Sequence, residues 1–78
     1  MGDTQYEVTK SIFPAWAERV EAIAGEMIED ELNHNDELLT YHDGFIHGLA
    51  IALNLTRQCG DAQEFVRQAI VRARMAKN

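Results

Sequence analysis

The sequence predicts an all-α fold: a small three-helix domain, made of a helical hairpin and a third helix, which we expect to form a homodimeric helical bundle. Apolar residues recur at three- and four-residue intervals over most of the chain, which is the spacing of amphipathic helices. Polar stretches that favour turns divide the chain at residues 33–36 and 59–61. One domain of 78 residues builds a small core, worth about 3 to 5 kcal/mol unaided. Because Cys59 is the only cysteine, no disulfide can close within the chain, and self-association is the simplest way to enlarge the core.

The first half of the chain is expected to contain an arm and one helix. Residues 1–10 show no obvious fold of their own, and we expect a flexible or docking arm. The first helix should run over about residues 11–32, with Ser11 as its N-cap and Pro14 in the first turn, where backbone amides lack acceptors. Its apolar positions follow one another at spacings of four, four, three and four: Ile12, Trp16, Val20, Ile23 and Met27.

The second helix is expected over about residues 36–59, after a turn formed by the Asn-His-Asn-Asp stretch at 33–36. It carries two apolar stripes, with Ile51 in neither, and such a helix needs cover on most of its sides. The first stripe contains Leu38, Tyr41, Phe45, Leu49, Ala52 and Leu55, and the second contains Leu39, Ile46, Ala50 and Leu53.

The third helix is expected over about residues 61–76. Gly60 suits the left-handed position that ends a helix, and Asp61 with Glu64 has the spacing of a capping box. Its core stripe would leave Val71 and Met75 on another face. All three helices would belong to a single domain spanning residues 1–78.

The apolar surface left over after packing predicts an interface. Gly44 and Gly48 lie four residues apart and would leave a groove into which another backbone can fit, although each lowers helix propensity by about 1 kcal/mol. Alternatively, the glycines permit tight packing on the first helix, or Gly44 separates two shorter helices. The residues predicted to contact a second copy or another partner are Phe13, Tyr41, Phe45, Gly48, Ile51, Val71 and Met75.

Charge is distributed unevenly along the chain. The net charge is −6, and residues 1–43 hold eleven carboxylates against two cations, a balance of −9, while residues 44–78 hold a balance of +3. This acidity argues against direct binding of nucleic acid, because phosphate contacts need cations. The first helix is expected to present an acidic partner-facing edge formed by Glu18, Glu21, Glu26, Glu29, Asp30 and Glu31. The alternatives are an acidic mimic of DNA and a merely solvated face.

Two short patterns raise the possibility of metal chemistry. His34, His42, Asp43 and His47 include types that bind metals, and the dipeptide at 42–43 resembles the His-Asp pair of the HD phosphohydrolases, whose further ligands this chain is too short to supply. The stretch Glu-Met-Ile-Glu-Asp at 26–30 resembles the Glu-x-x-Glu part of the all-α MazG-type nucleotide pyrophosphohydrolases, which hold magnesium between helices. The second carboxylate pair of that family lacks its expected form here. We therefore predict no enzyme, cofactor or metal, and keep a MazG-like or other metal-dependent enzyme as an alternative.

These features favour a function in protein–protein binding. We expect an inhibitor or adaptor that binds itself and a larger protein or complex. In size and character the chain resembles many small phage or prophage products that disable host machinery, anti-CRISPR inhibitors among them. The single cysteine and the lack of an apolar run near the roughly 20 residues of a membrane span favour a cytoplasmic protein without membrane contact.

Overall fold

The computed structural model describes residues 2–56 and 62–77, and this part of the chain is entirely α-helical. It forms four helices: α1 (Gly2–Ile12), α2 (Pro14–Leu32), α3 (Asp36–Leu55) and α4 (Ala62–Lys77). The all-α class is confirmed, while the expected number of helices rises from three to four. The predicted helix stop and capping box at residues 59–61 lie outside the described residues. None of the described helices combines the length and hydrophobicity needed to cross a lipid bilayer.

The N-terminal segment is a helix, which corrects the predicted arm. Tyr6 is only 3% exposed, and its ring stacks on that of Phe65 with centroids 4.1 Å apart and planes 5° from parallel. The guanidinium of Arg72 lies over the same ring, 3.9 Å from its centroid. The Tyr6 hydroxyl donates a 2.6 Å hydrogen bond to Glu21. The partners of Tyr6 in these contacts belong to α2 and α4. The helix at residues 2–12 is therefore stabilised by packing on other parts of the chain, which the sequence of the segment alone does not show.

The junction between α1 and α2 lies at Phe13, and α2 begins at Pro14, three residues later than the predicted helix start at Ser11. Pro14 is the first residue of α2 and disfavours helical backbone at the residue before it, and Phe13 has φ −124° and ψ 63°. Backbone hydrogen bonds continue on both sides, from Phe13 N–H to the Thr9 carbonyl and from Ala17 N–H to the Phe13 carbonyl, each 2.9 Å. The chain therefore bends between two helices here instead of starting one at Ser11.

The core is formed where α2, α3 and α4 meet, and α1 packs on α2 and α4. Trp16 shows the arrangement: its indole N–H donates to the Leu49 carbonyl of α3 at 3.0 Å, and its ring packs against Phe65 of α4. At the other end of α2, Glu31 pairs with Arg74 of α4 at 2.9 Å. These contacts place α2 antiparallel to α3 and parallel to α4. The buried apolar residues of this bundle are Ala17, Val20, Ile23, Ala24, Met27, Ile28, Ile46, Ala50, Leu53, Ala62, Phe65, Val66 and Ala69.

The turn between α2 and α3 forms at residues 33–34, within the predicted Asn-His-Asn-Asp stretch. His34 has a positive φ of 55°, and its N–H donates to the Glu31 carbonyl at 3.2 Å, while Asn35 N–H donates to the Asp30 carbonyl at 2.9 Å. This pair of bonds is the Schellman ending of a helix. Asn35 then caps α3, because its side-chain oxygen accepts from Leu38 N–H at 3.2 Å.

Replacing His34 by glycine should stabilise the protein. A residue with a Cβ is strained in the left-handed region, and glycine adopts it freely, so we expect the free energy of unfolding in urea to rise by about 0.5–1 kcal/mol. Asn33→Gly is the matched control, since Asn33 has an ordinary φ of −91° and glycine there should destabilise. Equal effects at the two positions would contradict this description of the turn.

The contact of Tyr6 with α2 predicts a loss of stability at alkaline pH. Burial, and then the hydrogen bond to Glu21, raise the pKa of Tyr6 above its ordinary value of 10.0. The folded protein therefore keeps a proton that the unfolded chain releases, so stability should fall as pH rises above about 10. In urea titrations from pH 8 to 11, Tyr6→Phe should show a smaller fall than the wild type. Tyr41→Phe, which changes an exposed tyrosine, should retain the wild-type fall.

Candidate functional site: the outer face of α3

Helix α3 has two apolar faces, and the described residues of the other helices cover only one of them. The inner face packs against α2 and α4 and corresponds to the second predicted stripe, with Ile46, Ala50 and Leu53 buried and Leu39 half-buried. A second, exposed face lies further around the helix, and we call it the outer face of α3. It consists of Leu38, Tyr41, Gly44, Phe45, Gly48, Ile51, Ala52 and Leu55, all of them exposed.

The outer face is a large apolar surface for so small a protein. The exposed fractions are 45% for Leu38, 63% for Tyr41, 44% for Phe45, 53% for Ile51 and 77% for Leu55. A fully buried aromatic side chain covers about 150–250 Å², and aliphatic side chains cover somewhat less. With the exposed fractions given above, the five side chains together expose on the order of 500 Å². The largest apolar patch of a typical monomer covers about 300–600 Å² and is often functional, and the outer face lies in this range.

The two glycines of α3 lie on this outer face. A Cβ atom built on Gly44 or on Gly48 meets no atom of the described residues within 4 Å, so neither glycine is needed for packing on α2, the helix predicted as the first. Helix α3 is continuous from Asp36 to Leu55, so Gly44 does not separate two helices. Both alternative explanations of the glycines are therefore wrong, and no contact within the described part of the chain accounts for a cost of about 1 kcal/mol each in helix propensity.

Six residues of the outer face follow a coiled-coil pattern. Leu38, Tyr41, Phe45, Gly48, Ala52 and Leu55 are separated by three, four, three, four and three residues. This alternation keeps side chains on one narrow stripe that faces a second helix, with each side chain inserted between residues of that helix. The outer face therefore has the geometry to dock against another helix along the length of α3.

The other predicted interface residues lie elsewhere. Phe13 is half-buried at the α1–α2 junction and packs against the core. Val71 and Met75 are exposed on α4. Two further exposed apolar residues, Val8 and Ile12, lie on α1. Val8 belongs to the segment expected as a flexible or docking arm, whereas Ile12 was expected in the apolar stripe of the first helix and is exposed instead. The structure thus places Tyr41, Phe45, Gly48 and Ile51 of the predicted set on the exposed side of one helix, and the other three on different elements.

The six residues of the predicted acidic edge do not form one edge. Glu21 faces α1, where it accepts from Tyr6 and pairs with Lys10 at 3.2 Å. Glu31 faces α4 and pairs with Arg74, while Asp30 is buried against α3. The remaining three, Glu18, Glu26 and Glu29, are exposed on α2.

A histidine bound by two carboxylates joins α2 to α3. A carboxylate oxygen of Asp30 lies 2.7 Å from Nδ1 of His42, and a carboxylate oxygen of Glu26 lies 2.9 Å from Nε2 of the same ring. In the sequence, His42 belongs to one candidate metal pattern, and Glu26 and Asp30 belong to another. The antiparallel packing of α2 and α3 brings residue 42 opposite residues 26 and 30, and the sequence patterns alone do not show this packing.

The remaining candidate ligands do not assemble into a metal centre. His47 contacts Asp43 as its spacing suggested, with Nδ1 2.8 Å from the backbone carbonyl and 3.5 Å from the carboxylate, while His34 lies in the α2–α3 turn. Glu64 accepts hydrogen bonds from Arg67 and Gln68, which lower the pKa of its carboxyl group. Within residues 2–56 and 62–77, no three His, Cys, Asp or Glu side chains converge on a position that could hold a metal ion.

Comparison with protein-family models, with curated proteins and with solved structures finds no match to this chain. Its function is therefore inferred from its own surface.

The carboxylate–histidine contact should contribute to the stability of the hairpin. His42→Phe keeps a ring of similar size but leaves the buried Asp30 carboxylate without this partner, so we expect a loss of about 1–3 kcal/mol in the free energy of unfolding. His47→Phe is the matched control on the same helix, because the His47 side chain is half-exposed and bonds to its own helix. The control should change stability by less than about 0.5 kcal/mol. Equal losses in both variants would contradict a specific contribution of the contact between His42 and Asp30.

Proposed function

We propose that this protein acts by protein–protein binding, as an inhibitor or adaptor of a larger protein, and that the outer face of α3 is its docking surface. The observation that carries the proposal is the exposed stripe from Leu38 to Leu55 with Gly48 near its centre. Burial of apolar surface is the dominant favourable term in most protein association. A helix with a complementary apolar stripe is the partner chemistry that fits this face.

The charge of the molecule supports specificity in this binding. The acidic first half is presented mainly by α2 and the start of α3, where Asp36 and Glu37 are exposed. Charges at the rim of an interface speed association with oppositely charged partners and disfavour wrong ones more than they raise affinity. We therefore expect a partner whose apolar stripe is bordered by lysine or arginine, and a cytoplasmic site of action in keeping with a chain that has one cysteine.

Mimicry of DNA is a weaker explanation of the acidity. A mimic needs a row of carboxylates that a basic cleft can bind, whereas Glu21, Asp30 and Glu31 are bound by groups of three other helices of the same chain. Only part of the predicted edge is left on the solvent side of α2.

Capture experiments with matched variants test the proposal. Tagged wild-type protein, Gly48→Leu and Gly25→Leu are used at low concentration to capture proteins from an extract of the cells in which the protein occurs. Gly25 lies on α2, and a Cβ built on it also meets nothing within 4 Å, so its replacement makes the same chemical change away from the outer face. A partner retained by the wild type and by Gly25→Leu, and lost with Gly48→Leu, is the expected result. Partners bound equally by all three proteins would contradict the proposed role of the outer face.

A further inference from the structure

The outer face of α3 is size-complementary to itself when two copies run in opposite directions. In an antiparallel pair related by a two-fold axis between the levels of residues 46 and 47, Leu38 meets Leu55 of the other copy, Tyr41 meets Ala52, and Phe45 meets Gly48. Both aromatic side chains thus lie opposite the two smallest residues of the stripe. All six stripe positions are matched by the same axis.

A parallel pair of the same helices lacks this complementarity. Phe45 would face Phe45 and Gly48 would face Gly48, which crowds one layer and leaves a void in another, and both faults destabilise a packed interface. A parallel pair would also bring the exposed Asp36 and Glu37 of both copies to the same end, where like charges repel. The antiparallel pair puts these residues at opposite ends.

We infer that the occupant of the outer face, in the protein without a larger partner, is a second copy of this chain bound with α3 antiparallel to α3. This inference rests on the proposed function, because it names a ligand for the same docking surface. Two outer faces would bury on the order of 1,000 Å² together, which is at the lower bound for a specific protein interface. A larger partner that binds the same face competes with this dimer.

Distances between spin labels test the direction of pairing. With Cys59 changed to serine, Glu37→Cys carries one label per chain near the start of α3. A rise of 1.5 Å per residue and a helix separation of 8–10 Å place the two labelled backbones about 30 Å apart in the antiparallel pair and about 10 Å apart in a parallel one. A separation near 30 Å is expected. A short separation, or no dipolar coupling at hundreds of micromolar protein, would overturn the inference.

Exchange of large and small residues tests the pairing of layers. Gly48→Phe alone should weaken the dimer at least ten-fold, because Phe45 then meets phenylalanine, and Phe45→Gly alone should weaken it through two Gly–Gly voids. A mixture of the two variants should form a heterodimer with a phenylalanine opposite a glycine in both layers. Circular dichroism verifies that each variant is folded. Failure of the mixture to associate would overturn the inference.

These outcomes separate the inference from the proposed function. Purified protein that stays monomeric, while capture of a larger partner still depends on Gly48, would remove self-pairing and leave the proposed function in place. An antiparallel dimer together with capture that is insensitive to Gly48→Leu would retain self-pairing and remove the outer face as the docking surface for larger proteins.

Discussion

The constraint on which the structure depends is that α3 is apolar on two faces, and within residues 2–56 and 62–77 only one of them is covered. Its inner residues Ile46 and Ala50 are fully buried by α2 and α4. On the other side, Phe45 and Ile51 keep about half of their surface exposed. A chain of 78 residues forms too little structure to enclose a central helix completely, since the buried fraction of surface falls as proteins become smaller.

The position of α1 explains why the outer face stays open. Among the described helices, α1 is the one that does not pack on α3. It packs on α2 and α4 through the ring stack of Tyr6 with Phe65 and the hydrogen bond to Glu21. The same contacts pair Glu21, an acidic residue of α2, with groups of α1. Docking of α1 therefore completes the core on one side of the bundle and leaves the surface for association on the other.

The sequence was informative wherever local chemistry decides the structure. Apolar spacing predicted helices for most of residues 14–76, and the polar stretch at 33–36 contains the observed turn. Periodicity could not reveal α1, because Tyr6 and Thr9 are its only residues described as buried and their partners are distant in sequence. Both apolar stripes of α3 could be predicted from the spacing of apolar residues. Which of the two faces the core is decided by the packing of α2 and α4, and the spacing does not show this. For the same reason the contacts of His42 with Glu26 and Asp30, which need the hairpin register, could not be foreseen.

The central claim is that another polypeptide covers the outer face of α3 and that the space above Gly48 is where it comes closest. Light-scattering chromatography of purified wild type, Gly48→Leu and Gly25→Leu over a hundred-fold range of dilution tests this most directly. We expect wild type and Gly25→Leu to approach twice the 8.8 kDa chain mass at high concentration and to dissociate on dilution, with Gly48→Leu remaining at the mass of one chain. The same mass for all three proteins at every concentration would contradict self-association through this face.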